Sequence, residues 1–425
     1  MKAIVSPSRI NGTITVPSSK SLTHRAIICA ALSNGTSVLT NCNICDDTLA
    51  TIYSMRELGA KIDVIGPKVI VTGMKLEYKE REVHLNALSS ASTLRFLLPI
   101  ATQFNKEVVF NVNRDLIKRP LTIYEELYSK VGEVKKVKSP KINRIFAHGS
   151  IEQKVYKLSG ESSQYISGLL FMLPLMNHNS KIIVEGKINS KSYIDLTIEV
   201  MNKFGVKVRE VENTYFVRGN QKYKNKNYSV EGDWSTGAFF IALGAIGEKV
   251  TVNGLNLKSS QKDKDILAIM KKMGAKIDIE NKKITSYKSN LIGRDLDLSD
   301  NVDLALPFAM LNSFALGGSR ISSSSRLESK EANRKLSIVS TLKSFGINAS
   351  FDKENIYIAP TSCVKSTDKM VITSFNDHRT LILATLLASL SNNKVIIEDI
   401  ECINKSYPRF FNDIKKLGIK VKLVD

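Results

Sequence analysis

The octapeptides ELGAKIDV at residues 57–64 and KMGAKIDI at residues 272–279 share the core GAKID, yet they lie in opposite halves of the chain. Four further stretches share their pattern of a helix-like run, a glycine and a short strand-like run. These are KVGEVKKV (130–137), KFGVKVRE (203–210), SFGINASF (344–351) and KLGIKVKL (416–423). The glycines are Gly59, Gly132, Gly205, Gly274, Gly346 and Gly418, at successive spacings of 73, 73, 69, 72 and 72 residues. A period held this steadily marks a chain built from repeated structural units.

The rest of the unit is read outward from each glycine. Upstream lies a polar loop of small residues: Pro17–Ser21, Ser89–Ser92, Gly160–Ser163, Gly232–Ser235, Ser299–Asp303 and Asn376–Arg379. Ser, Asp and Asn in these loops are natural helix N-caps. An apolar helical run follows each loop and stops near Gly or Asn, at Asn34-Gly35, Asn105, Asn177, Gly247, Gly317-Gly318 and Asn392-Asn393, residues that tolerate a left-handed C-cap. A strand-like run comes next, such as TSVLT or KVTVNG, and then a second helix that ends at the repeat glycine. Each unit therefore reads β-α-β-α-β-β. The first helices, among them FIALGAI, LPFAMLNSFAL and LILATLLASL, are apolar on every side and are expected to be buried. Over 425 residues this predicts two α/β domains with three units each. With the polar loops of both domains facing one cleft, the helix N-termini would favour anions there.

Composition narrows the function. The chain carries 61 basic and 41 acidic residues, a net charge of +20. Such an excess suits nucleic acid, an anionic membrane surface or anionic substrates. Aromatic residues make up only 7%, and neither an RNP-like nor a helix-turn-helix signal is present, which argues against nucleic acid. No apolar run approaches the ~18 residues a membrane span needs. MKAIVSPSRINGT lacks a signal-peptide core, so the cytoplasm is the expected compartment. The five cysteines do not suggest a disulfide framework, and the Cys42/Cys45 pair reads as two incidental thiols.

The basic residues at loops and strand ends are Lys20, Arg25, Arg95, Arg119, Lys330, Arg334, Arg379 and Lys405. Arginine grips carboxylate or phosphate with a planar fork, while lysine supplies a mobile point charge. Several around one site imply substrates with two or more anionic groups. Asp303 heads an apolar helix, where it reads either as an N-cap or, beside arginines, as a general base. Glu331 follows Lys330, and His378 lies in NDHR.

The segments PSSKSLTHR, SASTLRFLLP, IKRPL, SGESSQY, SKSYIDLT, KEANR, NDHR and NKSYPRFF resemble, in order, the signature segments of the 5-enolpyruvylshikimate-3-phosphate (EPSP) synthase family, over about residues 5–420. The resemblance implies a two-domain enolpyruvyl transferase fold of inverted repeats, with residues 20–230 in one domain and 1–19 plus 231–425 in the other, and an interdomain active site. It implies transfer of the enolpyruvyl group of phosphoenolpyruvate to the 5-hydroxyl of shikimate 3-phosphate, with no metal or organic cofactor and no macromolecular partner, by a monomer.

Carried over by motif, Lys20, Ser21, Arg25, Ser162, Ser163, Gln164, Ser190, Tyr193, Asp303 and Lys330 would bind shikimate 3-phosphate. Phosphoenolpyruvate would meet Lys20, Ala91, Arg119, Gln164, Arg334, Arg379 and Lys405. Asp303 would take the hydroxyl proton and Glu331 would handle the proton at C3, with Lys20 and His378 beside them.

The chain departs from the family pattern at several places. Ala91 replaces a glycine that backs the phosphoenolpyruvate pocket, which implies reduced sensitivity to glyphosate. Ser89 replaces Asn or Glu, Ala332-Asn333 replace Ser/Thr-Asp, Arg326 replaces an Asn, and Trp234 stands where a small residue is usual. The related transferase that acts on UDP-N-acetylglucosamine is the nearest alternative. It carries a loop cysteine in the second repeat and Lys-Asn where this chain has Lys20-Ser21, and here no cysteine lies between Cys45 and Cys363. A non-catalytic anion-binding descendant is the other.

Overall fold

A computed structural model describes residues 1–424. The chain divides into two compact units, Ser18–Val230 and a second made of Met1–Pro17 with the segment from Glu231 onward. Ser18 and Ser19 belong to the first unit for local reasons. Asn43 Nδ2 donates to the Ser18 carbonyl, and Ser19 caps the helix Lys20–Ala31.

All six repeats form, each with a four-stranded sheet of the same topology. In the second repeat, Lys79–Leu88 pairs in parallel with Asn105–Val112, which pairs antiparallel with Asn143–His148, itself hairpinned to Glu133–Val137. The third repeat, starting at Val155–Ser159, and the fifth, starting at Leu296–Asp297, copy this order from their own sequence. The other three borrow strands. Tyr228–Ser229, from the end of the first unit, is the parallel edge strand beside Thr36–Thr40 in the first repeat. Asn11–Thr15 does the same for Lys249–Asn253 in the fourth, and Lys2–Ser6 lies between Val395–Glu398 and Lys420–Val424 in the sixth. Two strands from the start of the chain thus complete sheets of the unit that holds its later half.

The first helices are the cores. Lys20–Ala31, Ala91–Phe104 and Ser163–Met172 lie in one apolar cluster; Trp234–Ile246, Ala305–Ser313 and His378–Ser389 lie in the other. Every residue of Ala305–Ser313 is buried. Each buried Leu, Ile or Phe contributes ~1.5–3 kcal/mol, so helices without a polar face are stable only here. Trp234 fits because it is fully enclosed and its Nε1 donates to the Asn256 carbonyl at 3.0 Å.

The caps mostly follow the sequence. Ser19, Ser90, Ser162, Asp233 and Asp377 accept backbone N–H bonds at five of the six helix starts. The fifth repeat differs: Asp303 is not at a cap position but inside the 3-10 turn Val302–Leu304, with its carboxylate on two arginines. Of the expected left-handed stops only Gly35 and Gly317-Gly318 are left-handed; Asn177, Gly247 and Asn392-Asn393 are not, and Asn105 is extended and opens the next strand, which absorbs the chain without a turn. Five repeat glycines are left-handed, but Gly132 is not. A Cβ there would stand 2.0 Å from the His148 carbonyl oxygen, so close approach of the backbone requires glycine at that position.

Candidate active site

In the unit containing the later half of the chain, the chemistry gathers on Arg334, the first residue of the helix Arg334–Ser344. Its guanidinium is 2% exposed and meets three carboxylates. Nε donates to Asp377 Oδ2 at 2.8 Å, Nη1 to Asp303 Oδ1 at 3.2 Å, and Nη2 to Glu331 Oε2 at 2.7 Å. Burial works against the charge, but Asp377, Glu331 and Asp303 more than offset it, and the group is held firmly protonated. Asp377 is itself fixed, because its Oδ1 accepts the N–H groups of Arg379 and Thr380 at the head of His378–Ser389. One buried carboxylate therefore joins a helix cap to the arginine fork.

The two other acids are each held from two sides. Asp303 also meets Arg379 Nη2 at 3.1 Å, and Lys405 Nζ stands 3.8 Å from Glu331 Oε1. Lys330 is brought down to about 8 by burial, with Arg334 and Arg326 acting in the same direction and Asp303 and Glu331 opposing. It can therefore exchange a proton near neutral pH. Arg326 is anchored to the Leu298 and Ser299 carbonyls. The structure thus brings Asp303, Glu331, Arg334, Arg379 and Lys405 into one network, with buried His378 at the start of the same helix as Arg379.

The Ser18–Val230 unit holds the other group of predicted residues. Lys20 Nζ pairs with Asp47 Oδ2 at 2.7 Å, across the starts of two helices. Behind them runs a chain of hydroxyls. His24 Nδ1 meets Thr51 Oγ1 at 2.7 Å, Thr51 meets Thr93 Oγ1 at 2.7 Å, and Thr93 donates to Ser90 Oγ at 2.8 Å. Burial drives His24 down to about 3, so it stays neutral beside Lys20 and Arg25.

Arg25 is buried against the Phe96 ring and bonds to its own chain: Nε to Thr197 Oγ1, Nη1 to the Ser21 carbonyl and Nη2 to the Tyr193 carbonyl. It therefore fixes Ser21 and Tyr193 relative to each other. Gln164 is oriented by Arg95 Nη1, which donates to its Oε1 at 2.7 Å, and by Ser92, which accepts from its Nε2 at 3.1 Å. Ser162 caps the helix on which Ser163 is the first, buried residue. Ala91 is buried at the start of its helix, and Arg119 lies half-buried just before Pro120, whose carbonyl accepts from Arg95 Nη2. Ser190 is left-handed at φ 54°, directly before the helix Lys191–Lys203, and is not the left-handed residue that follows the corresponding strand in other repeats, which is Asn41, Gly186, Gly254, Ser323 or Asp399.

Sequence reasoning passed over Asp47, Asp377 and Asp263. Asp47 and Asp377 sit at helix starts, where an acid reads as dipole compensation. A cation at the head of a neighbouring repeat's helix was the signal for Asp377. Cys42 and Cys45 are buried thiols raised by burial to about 12 and about 11, which leaves them inert. Among the described residues no helix is long and apolar enough to cross a membrane.

Fold and chemistry together define a class. An EPSP synthase structure from Acinetobacter baumannii superposes with a TM-score of 0.79 at 22% identity, covering 100% of both chains. The enolpyruvyl transferase NikO of Streptomyces tendae gives 0.77 at 13% identity, covering 99% of this chain and 98% of that one. The fold is that of the enolpyruvyl transferases. Sequence then specifies the branch. The family model of EPSP synthase (3-phosphoshikimate 1-carboxyvinyltransferase) matches residues 4–414. A 3-phosphoshikimate 1-carboxyvinyltransferase of Clostridium botulinum (strain Eklund 17B / Type B) is 37% identical over 421 residues, 97% of this chain and 96% of the relative. That of Clostridioides difficile (strain 630) is 35% identical over 428 residues, 98% and 97%. The chain belongs to the EPSP synthase family, and it is a transferase enzyme.

Proposed function

We propose that this protein transfers the enolpyruvyl group of phosphoenolpyruvate to the 5-hydroxyl of shikimate 3-phosphate, releasing phosphate, in the pathway to chorismate and the aromatic amino acids. The observation that carries the assignment of roles is the Arg334 fork, which holds Asp303 and Glu331 in fixed positions within a cluster of cations. Asp303 takes the 5-hydroxyl proton as oxygen bonds to C2 of phosphoenolpyruvate, while a proton adds at C3. Glu331, steadied by Arg334 and Lys405, handles that C3 proton, with Lys20 and His378 assisting. In the second stage a C3 proton leaves, the C2–O bond to phosphate breaks, and the enolpyruvyl ether remains.

Arg119, Arg334, Arg379, Lys405 and Lys20 bind the phosphoenolpyruvate anion, with Gln164 and Ala91 completing its surroundings. Preorganised cations of this kind stabilise the charge that develops in the transition state. Ser21, Ser162, Ser163, Gln164, Ser190, Tyr193, Lys20 and Lys330 hold shikimate 3-phosphate, and Arg25 sets the spacing of Ser21 and Tyr193. The enzyme works as a cytoplasmic monomer without metal or organic cofactor, and nucleic acid is no part of its task.

Inorganic phosphate should appear only when both substrates are present. Release with UDP-N-acetylglucosamine, and none with shikimate 3-phosphate, would overturn the assignment. Ala91 supplies a second test. Its methyl narrows the pocket where a glycine is usual, so Ala91→Gly should lower the glyphosate inhibition constant by roughly tenfold, a difference of ~1.4 kcal/mol. An unchanged constant would show that the methyl does not face the inhibitor.

A further inference from the structure

Asp263 lies outside every motif used above, yet it is a buried acid close to the proposed base. It stands in the 3-10 turn Lys262–Asp265, with 6% exposure. Its Oδ2 accepts a hydrogen bond from Ser235, on the first turn of Trp234–Ile246. That turn is joined to the turn carrying Asp303 by Asn301 Nδ2, which donates to Asp265 Oδ2 at 3.4 Å.

The charged groups around Asp263 come from several elements. Asp303 in the turn Val302–Leu304, Arg379 at the start of His378–Ser389 and Asp233 at the cap of Trp234–Ile246 all act on it electrostatically. On its own turn, Lys262 is engaged by Asp265 at 2.9 Å and Lys264 donates to the Ser259 carbonyl. Arg379 is shared, since its Nη2 also pairs with Asp303.

We propose that Asp263 is a positioning residue for the transfer: it forms a carboxylate pair with Asp303, and its negative charge strengthens Asp303 as the base that accepts the hydroxyl proton. The inference rests on the functional reading given above. Burial, then the charge of Asp303, pushes the Asp263 carboxyl up to about 7, while the Ser235 bond and Arg379 act the other way. Two such acids titrate as a unit. Below about 7 Asp263 holds a proton and carries no charge. Above it Asp263 is ionised, and its charge makes Asp303 grip a proton more tightly. When the substrate O–H bond breaks, the proton passes to a Asp303 oxygen and Asp263 balances the charge shift, with no outside donor or acceptor required.

The test is the pH dependence of kcat for phosphate release, compared between wild type and Asp263→Asn. Asparagine still accepts from Ser235 but carries no charge. The ratio of wild-type to variant kcat should rise by roughly three- to tenfold between about pH 6 and about pH 8, and groups common to both enzymes cancel from it. With Asp303→Asn already present, Asp263→Asn should change nothing further. Ser235→Ala is the converse change: it removes the hydrogen bond that Asp263→Asn leaves in place but keeps the charge, and should retain the step.

Melting temperature gives a readout independent of activity. The folded-state pKa is raised, so the wild type is penalised progressively as pH climbs from ~4 toward about 7. The Asp263→Asn variant should therefore gain on wild type across that window. A flat kcat ratio in an enzyme that does release phosphate would overturn the carboxylate pair and leave the functional assignment standing. Absence of phosphate release by wild type would instead overturn the assignment itself.

Discussion

Arg334→Met should lose about 3–5 kcal/mol of stability and about a thousandfold in kcat/KM. The stability loss follows from what remains: Asp377 at 0% exposure has lost the Arg334 charge, while Asp303 is left with Arg379 and Glu331 with the more distant Lys405. Removing one member of a buried ionic group costs more than the group contributes, because the survivors stay desolvated. A drop of roughly 10 °C in melting temperature is the corresponding signal. Arg334→Lys should fall between, since an ammonium keeps the charge but cannot direct separate N–H groups to three carboxylates. Combining Arg334→Met with Asp377→Asn separates folding from chemistry. The second change removes a buried charge and should recover part of the stability, while activity stays lost. Recovery of both would mean that Arg334 only holds the helix ends together and takes no part in binding phosphoenolpyruvate.

Much of this fork was legible in the sequence, and the reasons are local. The repeat glycines, the polar loops and the apolar helices are spaced by the geometry of one supersecondary unit, so a single chain displays its own alignment. That pattern placed Arg334, Arg379, Lys405 and Asp303 at helix starts and strand ends. It did not reveal which strands are borrowed, because Lys2–Ser6 and Asn11–Thr15 are short alternating segments that could pair with any open sheet edge. Nor did it reveal Asp303's true setting. An acid at a helix head satisfies the capping rule, and only folding brings Arg334, from the second helix of the same repeat, and Arg379, from the sixth repeat, onto its carboxylate. Asp263 was hidden for a similar reason: in QKDKD it looks like one more solvated charge, and its burial is decided by Ser235 and the packing of the next repeat.

Asp303→Asn should reduce kcat by about 10²–10⁴ while leaving KM for phosphoenolpyruvate unchanged or lower. The substitution keeps size and one acceptor oxygen but removes the basic site, so the hydroxyl of the acceptor substrate must be deprotonated by water or by a weaker group. Binding should not suffer, because Asp303 neutralises part of Arg334 and Arg379, and its loss leaves both arginines freer to attract an anion. Stability should change far less than in Arg334→Met, since the variant relieves repulsion among Asp303, Asp263 and the other acids even as it loses two ion pairs. A fall in kcat with constant or tighter KM marks an interaction made only as the reaction proceeds. A rise in KM with kcat preserved would instead make Asp303 a scaffold for the arginines, and the base would have to be sought elsewhere, with Lys330, already brought down to about 8, the first group to substitute.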